Sequence, residues 1–319
     1  MRHGWNSGGV AAVPSRYDSA PLDIAKAKGH GASMTTSSLP ANLPSALRDA
    51  AVRLDGVSDT ARLDAELLAA HALGMERMAM LARIGDLQVP GGFDALIARR
   101  MRDEPVAYIT GRQAFWDIEL TVTSDVLIPR ADSETLIEAA MRYFAGRRPP
   151  ENILDLGTGS GALLLAALSL FPGALGTGID ASNAALAVAQ GNAEALGMAK
   201  RANIARLSWL DADWRAMLEG RFDLILCNPP YVEDGAKIAP MIAAHEPHDA
   251  LFAGPDGLGD YRAILPDVPS LLTPGGVALF EIGVGQQGGV SDIASESDLT
   301  TRLRRDLSGH IRCVEMQHI

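Results

Sequence analysis

Ile153-Leu154-Asp155-Leu156-Gly157-Thr158-Gly159-Ser160-Gly161-Ala162 joins a short apolar run to an apolar stretch that continues to Leu170. A strand buried on both faces of a parallel sheet reads as a continuous apolar run, and the glycines mark a turn into a helix. Working outward, the same strand–turn–helix order repeats. A strand over Leu175–Asp180 precedes a helix over Ser182–Leu196, and further strands are predicted near Ile204–Leu207, at Phe222–Cys227 and at Val277–Ile282. Alternating β and α units predict a doubly wound, mostly parallel α/β sheet with right-handed crossovers. The tail from Leu299 to Met316 differs, and predicts an antiparallel hairpin about Asp306-Leu307-Ser308-Gly309.

Open α/β sheets bind ligands outside the carboxyl ends of their strands. Gly157-Thr158-Gly159-Ser160-Gly161 stands at such an end, where glycines allow a tight turn and close approach of a ligand to the backbone. Asp180 ends the next strand, where a carboxylate can accept from both ribose hydroxyls. Asp213-Trp214, after the third strand, supplies an acid for an adenine amino group and an indole to pack on the ring. Gly157, Gly159 and Ala162 also satisfy the G-x-G-x-x-A dinucleotide pattern, so the loop by itself leaves a nicotinamide enzyme or a plain tight turn open. A parallel sheet that ends in a hairpin resembles the class I methyltransferase fold more than a dinucleotide-binding one.

The chemistry is read from Asn228-Pro229-Pro230-Tyr231, directly after the strand Phe222–Cys227. An amide or aryl-amine nitrogen is a poor nucleophile because its lone pair is delocalised. Two acceptors on its two N–H bonds orient the lone pair and favour pyramidal geometry as a methyl group arrives. The Asn228 side-chain oxygen and the Pro229 carbonyl are the candidate acceptors, with Asn228 also beside the cofactor. The fixed proline φ angles of Pro229 and Pro230 hold the backbone, and Tyr231 is expected to stack on the flat target group. These four residues are the candidate catalytic and substrate-binding set. Asn and Pro are also ordinary turn residues, but the place at the end of a buried strand favours the chemical reading.

Residues 1–38, rich in Gly, Ser and Ala without periodicity, are expected to be a disordered tail. Residues 39–103 have helical periodicity and are expected to form a small helical domain. One face carries Ala46, Leu47, Ala50, Ala51 and Leu54, another Leu63, Leu67, Leu68, His71 and Ala72, with Gly74 as the helix stop and His71 a core histidine. Residues 104–149 read as a linker: a β-hairpin of Phe115–Val122 with Val126–Ile128, then a helix to Tyr143 capped by Ser133. Residues 150–319 hold the predicted cofactor-binding sheet.

The net charge of −11 comes without a concentrated basic patch, so no stable nucleic-acid partner is expected. No run approaches the ~20 apolar residues of a membrane span. Cys227 and Cys313, far apart and each in an apolar run, read as buried thiols of a protein in a reducing, cytoplasmic compartment. His245-Glu246-Pro247-His248 lacks metal-ligand spacing, so no metal is expected and a loop role is preferred. Glu281 closes the fifth strand as an acid at the edge of the site.

Together these motifs resemble the bacterial release-factor glutamine methyltransferases, the PrmC/HemK family. The resemblance covers about residues 44–316. It rests on Arg62–Leu68, Glu104-Pro105 through Gly111, Phe115-Trp116, Ile128-Pro129-Arg130, Asp132 and Glu134, besides the glycine loop, Asp180, Asp213-Trp214 and Asn228–Tyr231. Glu246-Pro247, Gly254–Leu258 and Arg305–Gly309 extend it. Ala131 stands where the family usually has proline, Ser133 where it usually has threonine, and Gly283–Ser297 is glycine-rich where a helix is expected. The resemblance implies S-adenosylmethionine as cofactor and, as substrate, the glutamine of the Gly-Gly-Gln loop in class I peptide-chain release factors. The Asn-Pro-Pro-Tyr motif alone is shared with adenine-N6 and guanine-N2 methyltransferases of nucleic acid, which keeps that alternative open.

Overall fold

The structure, a computed structural model, describes residues 42–319; the tail expected to be disordered lies outside the described residues. The chain begins with α1 (Leu43–Leu54), α2 (Ala61–Ala72), α3 (Arg77–Ala82), α4 (Phe93–Arg100) and α5 (Val106–Thr110). Asn42 starts α1 by accepting the Ser45 N–H at 3.0 Å, and Gly74 follows α2 with φ +62°, a conformation that costs glycine nothing. A two-stranded hairpin, β1 (Arg112–Phe115) and β2 (Ile118–Thr121), leads to α6 (Glu134–Phe144).

Next come β3 (Asn152–Leu156), α7 (Ala162–Leu170), β4 (Leu175–Asp180), α8 (Asn183–Ala195), β5 (Ala202–Arg206) and β6 (Phe222–Cys227). The short helices α9 (Pro240–His245), α10 (Gly259–Ile264) and α11 (Val268–Leu271) precede β7 (Leu272–Glu281), α12 (Gln287–Glu296), β8 (Leu299–Arg305) and β9 (Ile311–His318). Among the described residues, seven strands form one sheet in the order β5-β4-β3-β6-β7-β9-β8. The pairs from β5 to β7 are parallel, and β9 runs antiparallel to both β7 and β8.

Strand alternation sorts the core into two layers. Ile153, Leu224, Leu226 and Leu279 pack with α6 and α7 on one face. Leu154, Leu156, Ile225, Cys227 and Phe280 pack with α10, α11 and α12 on the other. Glycine in β4 lets α7 lie close: a Cβ at Gly176 would stand 2.6 Å from Leu164 Cδ1. Both cysteines are buried and free. No helix among the described residues is long and apolar enough to cross a membrane.

The structure departs from the sequence reading in several places. The buried face of α2 is Asp64, Ala65, Glu66, Leu68, Ala69 and Ala70, and His71 is exposed rather than a core residue. Charge pairing sets this phase. Arg100 of α4 donates to Asp64 at 2.8 Å with both side chains buried, and Arg62 and Arg77 both hold the buried Glu66 at 2.6 Å. The linking hairpin turns at Trp116-Asp117, with Trp116 at φ +54° and its N–H held by the Glu134 carboxylate at 2.9 Å. Val126–Ile128 is not a strand, because side chains take its backbone groups: the Tyr108 hydroxyl donates to the Val126 carbonyl at 2.6 Å, and Ile128 N–H donates to Glu246 at 3.3 Å. Ser133 ends a short 3₁₀ turn and caps no backbone N–H, while Gln287–Glu296 is helical despite its glycines.

Removing one partner of a buried ion pair leaves the other charge without compensation. Asp64→Ala should therefore cost about 3–5 kcal/mol in urea unfolding, whereas His71→Ala, at an exposed position, should leave the midpoint unchanged.

Candidate active site

Leu156 of β3 and Cys227 of β6 lie opposite one another, so the glycine loop and the Asn228 segment leave adjacent strands at the same edge. Between them opens a cavity of about 720 Å³ whose lining includes Gly157, Thr158, Gly159, Ser160, Asp180, Trp209, Asn228 and Pro230. The linker completes its wall through Phe115, Val126, Leu127, Pro129, Arg130 and Ser133.

The glycine loop is set by backbone bonds and left-handed angles. Gly157, Gly159 and Gly161 have φ of +74°, +54° and +84°. Gly157 and Thr158 donate their N–H groups to the Ile179 carbonyl at 3.0 and 2.9 Å. A Cβ on Gly157 would come within 3.1 Å of Trp209 Cη2, so only glycine leaves the indole its place. Asp180 accepts from Gly159 N–H and Ser182 N–H, both at 2.9 Å, which fixes its carboxylate at the cavity wall. Thr158 donates to the buried Asp155 at 2.7 Å, while the other Asp155 oxygen has no hydrogen-bond partner among the described residues. Burial pushes the Asp155 carboxyl up to about 7.

Asp213 and Trp214 are placed differently from the adenine contacts read in the sequence. Trp214 is 4% exposed and packs in the core with Leu207, Leu218 and Phe222, and Asp213 is an exposed residue at φ +58° that opens its turn. Trp209 takes the position on the cavity wall, and its indole N–H donates to Asp260 at 2.7 Å. Two tryptophans five residues apart look equivalent in sequence; only the path of the loop after β5 separates them. Asn192 was also missed. From α8 it donates to the Ser160 and Thr121 carbonyls at 2.8 and 2.9 Å and accepts Thr121 N–H at 2.8 Å, tying the hairpin to the glycine loop. Its signal was a polar residue on an otherwise apolar helix face.

At the second loop, Asn228 and Pro230 line the cavity and Pro229 is buried. Neither the Asn228 side-chain oxygen nor the Pro229 carbonyl accepts a hydrogen bond from the described residues. Tyr231 is the residue expected to stack on the target group. Its hydroxyl donates to Glu281 at 3.2 Å and its ring abuts Gly283, where a Cβ would meet Cδ2 at 3.2 Å. Glu281 itself is buried, and desolvation pushes its carboxyl up to about 7. Glu246 is fully buried and clamps the linker by accepting from the Arg130 guanidinium as well as from Ile128. His248 stacks on Phe252 with centroids 4.4 Å apart. No group of three or more metal-ligating side chains occurs among the described residues.

Comparison with known proteins gives two family matches, the PrmC N-terminal domain over residues 45–111 and the methyltransferase small domain over 133–247. The release factor glutamine methyltransferase of Rhodospirillum rubrum is 43% identical over 79% of this chain and 78% of its own. Those of Bradyrhizobium diazoefficiens (37%, covering 86% and 94%) and Moorella thermoacetica (39%, covering 85% and 96%) are similar. The chain belongs to the release factor glutamine methyltransferase family. The solved hMettl16 catalytic domain in complex with MAT2A 3′UTR hairpin 1 shares the fold, with TM-score 0.50 and 14% identity over 62% of this chain and 74% of that one.

The cofactor of this methyltransferase family is S-adenosylmethionine. The residues present fit it. Side-chain-free glycines leave room at the loop, the Asp180 carboxylate keeps acceptor capacity beyond its two N–H donors, and the Trp209 ring offers an apolar wall.

Two expectations follow. Trp214→Ala should cost about 3–5 kcal/mol of stability, whereas Trp209→Ala should melt near wild type and weaken S-adenosylhomocysteine binding in calorimetric titration. Glu281, held above its ordinary value, favours the fold while protonated, and that contribution is lost as pH rises toward about 7. The melting temperature of Glu281→Gln relative to wild type should therefore rise between about pH 5 and about pH 8.

Proposed function

We propose that this protein transfers the methyl group of S-adenosylmethionine to the side-chain amide N5 of the glutamine in the Gly-Gly-Gln motif of class I peptide-chain release factors. The observation that carries the reading is the pair of unoccupied acceptors, Asn228 Oδ1 and the Pro229 carbonyl, beside a cofactor-sized cavity. A glutamine carboxamide presents two N–H bonds, and this pair can take both. Gly157 to Gly161 and Asp180 hold the cofactor, and Trp209 replaces the Asp213-Trp214 pair as the indole of the site.

S-adenosylmethionine supplies an electrophilic methyl on a sulfonium. The chain's own task is alignment, which contributes about 7–11 kcal/mol in well-oriented reactions, with each polar contact adding about 1–3 kcal/mol. Pro229 and Pro230 restrict the backbone beside Asn228, so the acceptors are held before the substrate arrives. Tyr231 serves the site through its hydroxyl bond to Glu281. The methylated nitrogen is acidic and needs no strong base to lose its proton.

Residues 39–103 act as the docking domain, 104–149 as the linker that walls the cavity, and 150–319 as the cofactor-binding domain. An overall charge of −11 suits a protein substrate in the cytoplasm better than a phosphate backbone.

Asp180→Ala should weaken S-adenosylhomocysteine binding by about 1.5–3 kcal/mol, while Asn228→Ala should bind it within a few-fold of wild type and lose turnover. Mass spectrometry of a purified class I release factor, after incubation with enzyme and labelled cofactor, should find one methyl on the Gly-Gly-Gln glutamine. Label transferred to DNA or ribosomal RNA instead would overturn the reading.

A further inference from the structure

Asn228 can serve as an acceptor only in one of its two amide orientations. Turned by half a rotation it would present its NH₂ group to the substrate's N–H bonds, and like dipoles would meet. Something must choose the orientation, and the backbone of Asn228 does not.

We propose that Ser133 and Glu281 are positioning residues that hold the Asn228 carboxamide with its oxygen toward the cavity. This inference rests on Asn228 as an acceptor for the substrate amide. Asn228 Nδ2 donates to Ser133 Oγ at 3.2 Å. A serine hydroxyl has one hydrogen, so its partners decide whether it accepts or donates toward Asn228. Glu281, 1% exposed, is close enough to Ser133 for that hydroxyl to favour its charged form. Above its raised value of about 7 Glu281 is a carboxylate, which only accepts. Oε1 receives the Tyr231 hydroxyl at 3.2 Å, and buried Oε2 has no partner in hydrogen-bond geometry among the described residues. The cost of leaving that oxygen unpaired directs the Ser133 hydrogen to Glu281. Ser133 Oγ is then left with lone pairs for Asn228, which must offer its nitrogen, and Oδ1 turns outward. The polarity runs one way along the chain of groups.

Ser133 has no competing local duty. It sits before α6 yet caps none of its N–H groups, and it lines the cavity beside Asn228. Tyr231 anchors the other side of the carboxylate and so ties two residues of the Asn228 segment to one buried acid.

The test uses the full chain with a purified class I release factor and labelled S-adenosylmethionine. Ser133→Ala should lower kcat by roughly ten- to hundredfold. S-adenosylhomocysteine affinity and melting temperature should stay near wild type. Ser133→Thr, which keeps the hydroxyl, should restore kcat to within a few-fold. Glu281→Gln should lower kcat similarly, and the double variant should be no worse than the worse single, because both act through Asn228. Wild-type kcat in Ser133→Ala, alongside an inactive Asn228→Ala, would overturn the positioning role and leave the Asn228 reading intact. Full turnover in Asn228→Ala would overturn that reading instead. A kcat loss that Ser133→Thr fails to rescue would assign Ser133 to packing and also refute the proposal.

Discussion

Leu156 and Cys227 are paired across adjacent parallel strands, and the residues that follow them, Gly157 and Asn228, emerge side by side where the sheet's hydrogen bonding stops. In the order β5-β4-β3-β6-β7-β9-β8, the chain winds outward from β3 in one direction and from β6 in the other. The loops diverge at that switch point and leave a crevice between them. A slip of one residue between β3 and β6 would reverse the faces of every side chain in one strand and separate the glycine loop from the Asn228 segment. The two apolar layers prevent this, since Ile153 and Leu154 are committed to opposite faces.

Around that crevice the chain invests buried polar groups, each with a positional role. Asn192 joins α8 to the hairpin and the glycine loop; Glu246 joins the Asn228-side loops to Ile128 and Arg130; Glu134 holds the turn of the hairpin. The Asn192 and Glu246 bonds tie residues 121–130 to the glycine loop or to the loops after β6, and the Glu134 bond fixes the turn of the hairpin. Bonds of this kind are costly to leave half-made in a dry environment, so they favour a single arrangement. The segment from Phe115 to Ser133 thereby forms a wall of the cavity.

The buried acids fall into two groups by environment. Asp64, Glu66 and Glu246 face guanidinium groups and gain compensation for their burial. Asp155 and Glu281 face hydroxyls instead of guanidinium groups, and both are pushed up to about 7. Compensated carboxylates lie in the helical region, at the Glu246 clamp and on β9, where Glu315 meets Arg304; uncompensated ones lie under the two loops of the cavity. Uncompensated buried carboxylates beside a cleft are characteristic of catalytic sites.

The sequence by itself determined the sheet, the C-terminal hairpin and the positions of both loops. Apolar runs of strand length, glycines at their ends and Asn228-Pro229-Pro230-Tyr231 are local signals, and local signals survive without knowledge of neighbours. Distances through space decided the rest. Asp64 faces inward because Arg100, 36 residues away, meets it there, against the apolar stripe that Leu63 and Leu67 suggested. Val126–Ile128 is extended without a strand partner because Tyr108 and Glu246 occupy its backbone. Trp209 rather than Trp214 reaches the cavity because the loop after β5 carries one indole over Gly157 and folds the other into the core. Ser133 looked like a helix cap and instead meets Asn228, 95 residues on, through a bond that only the packed α6 and β6 bring within reach.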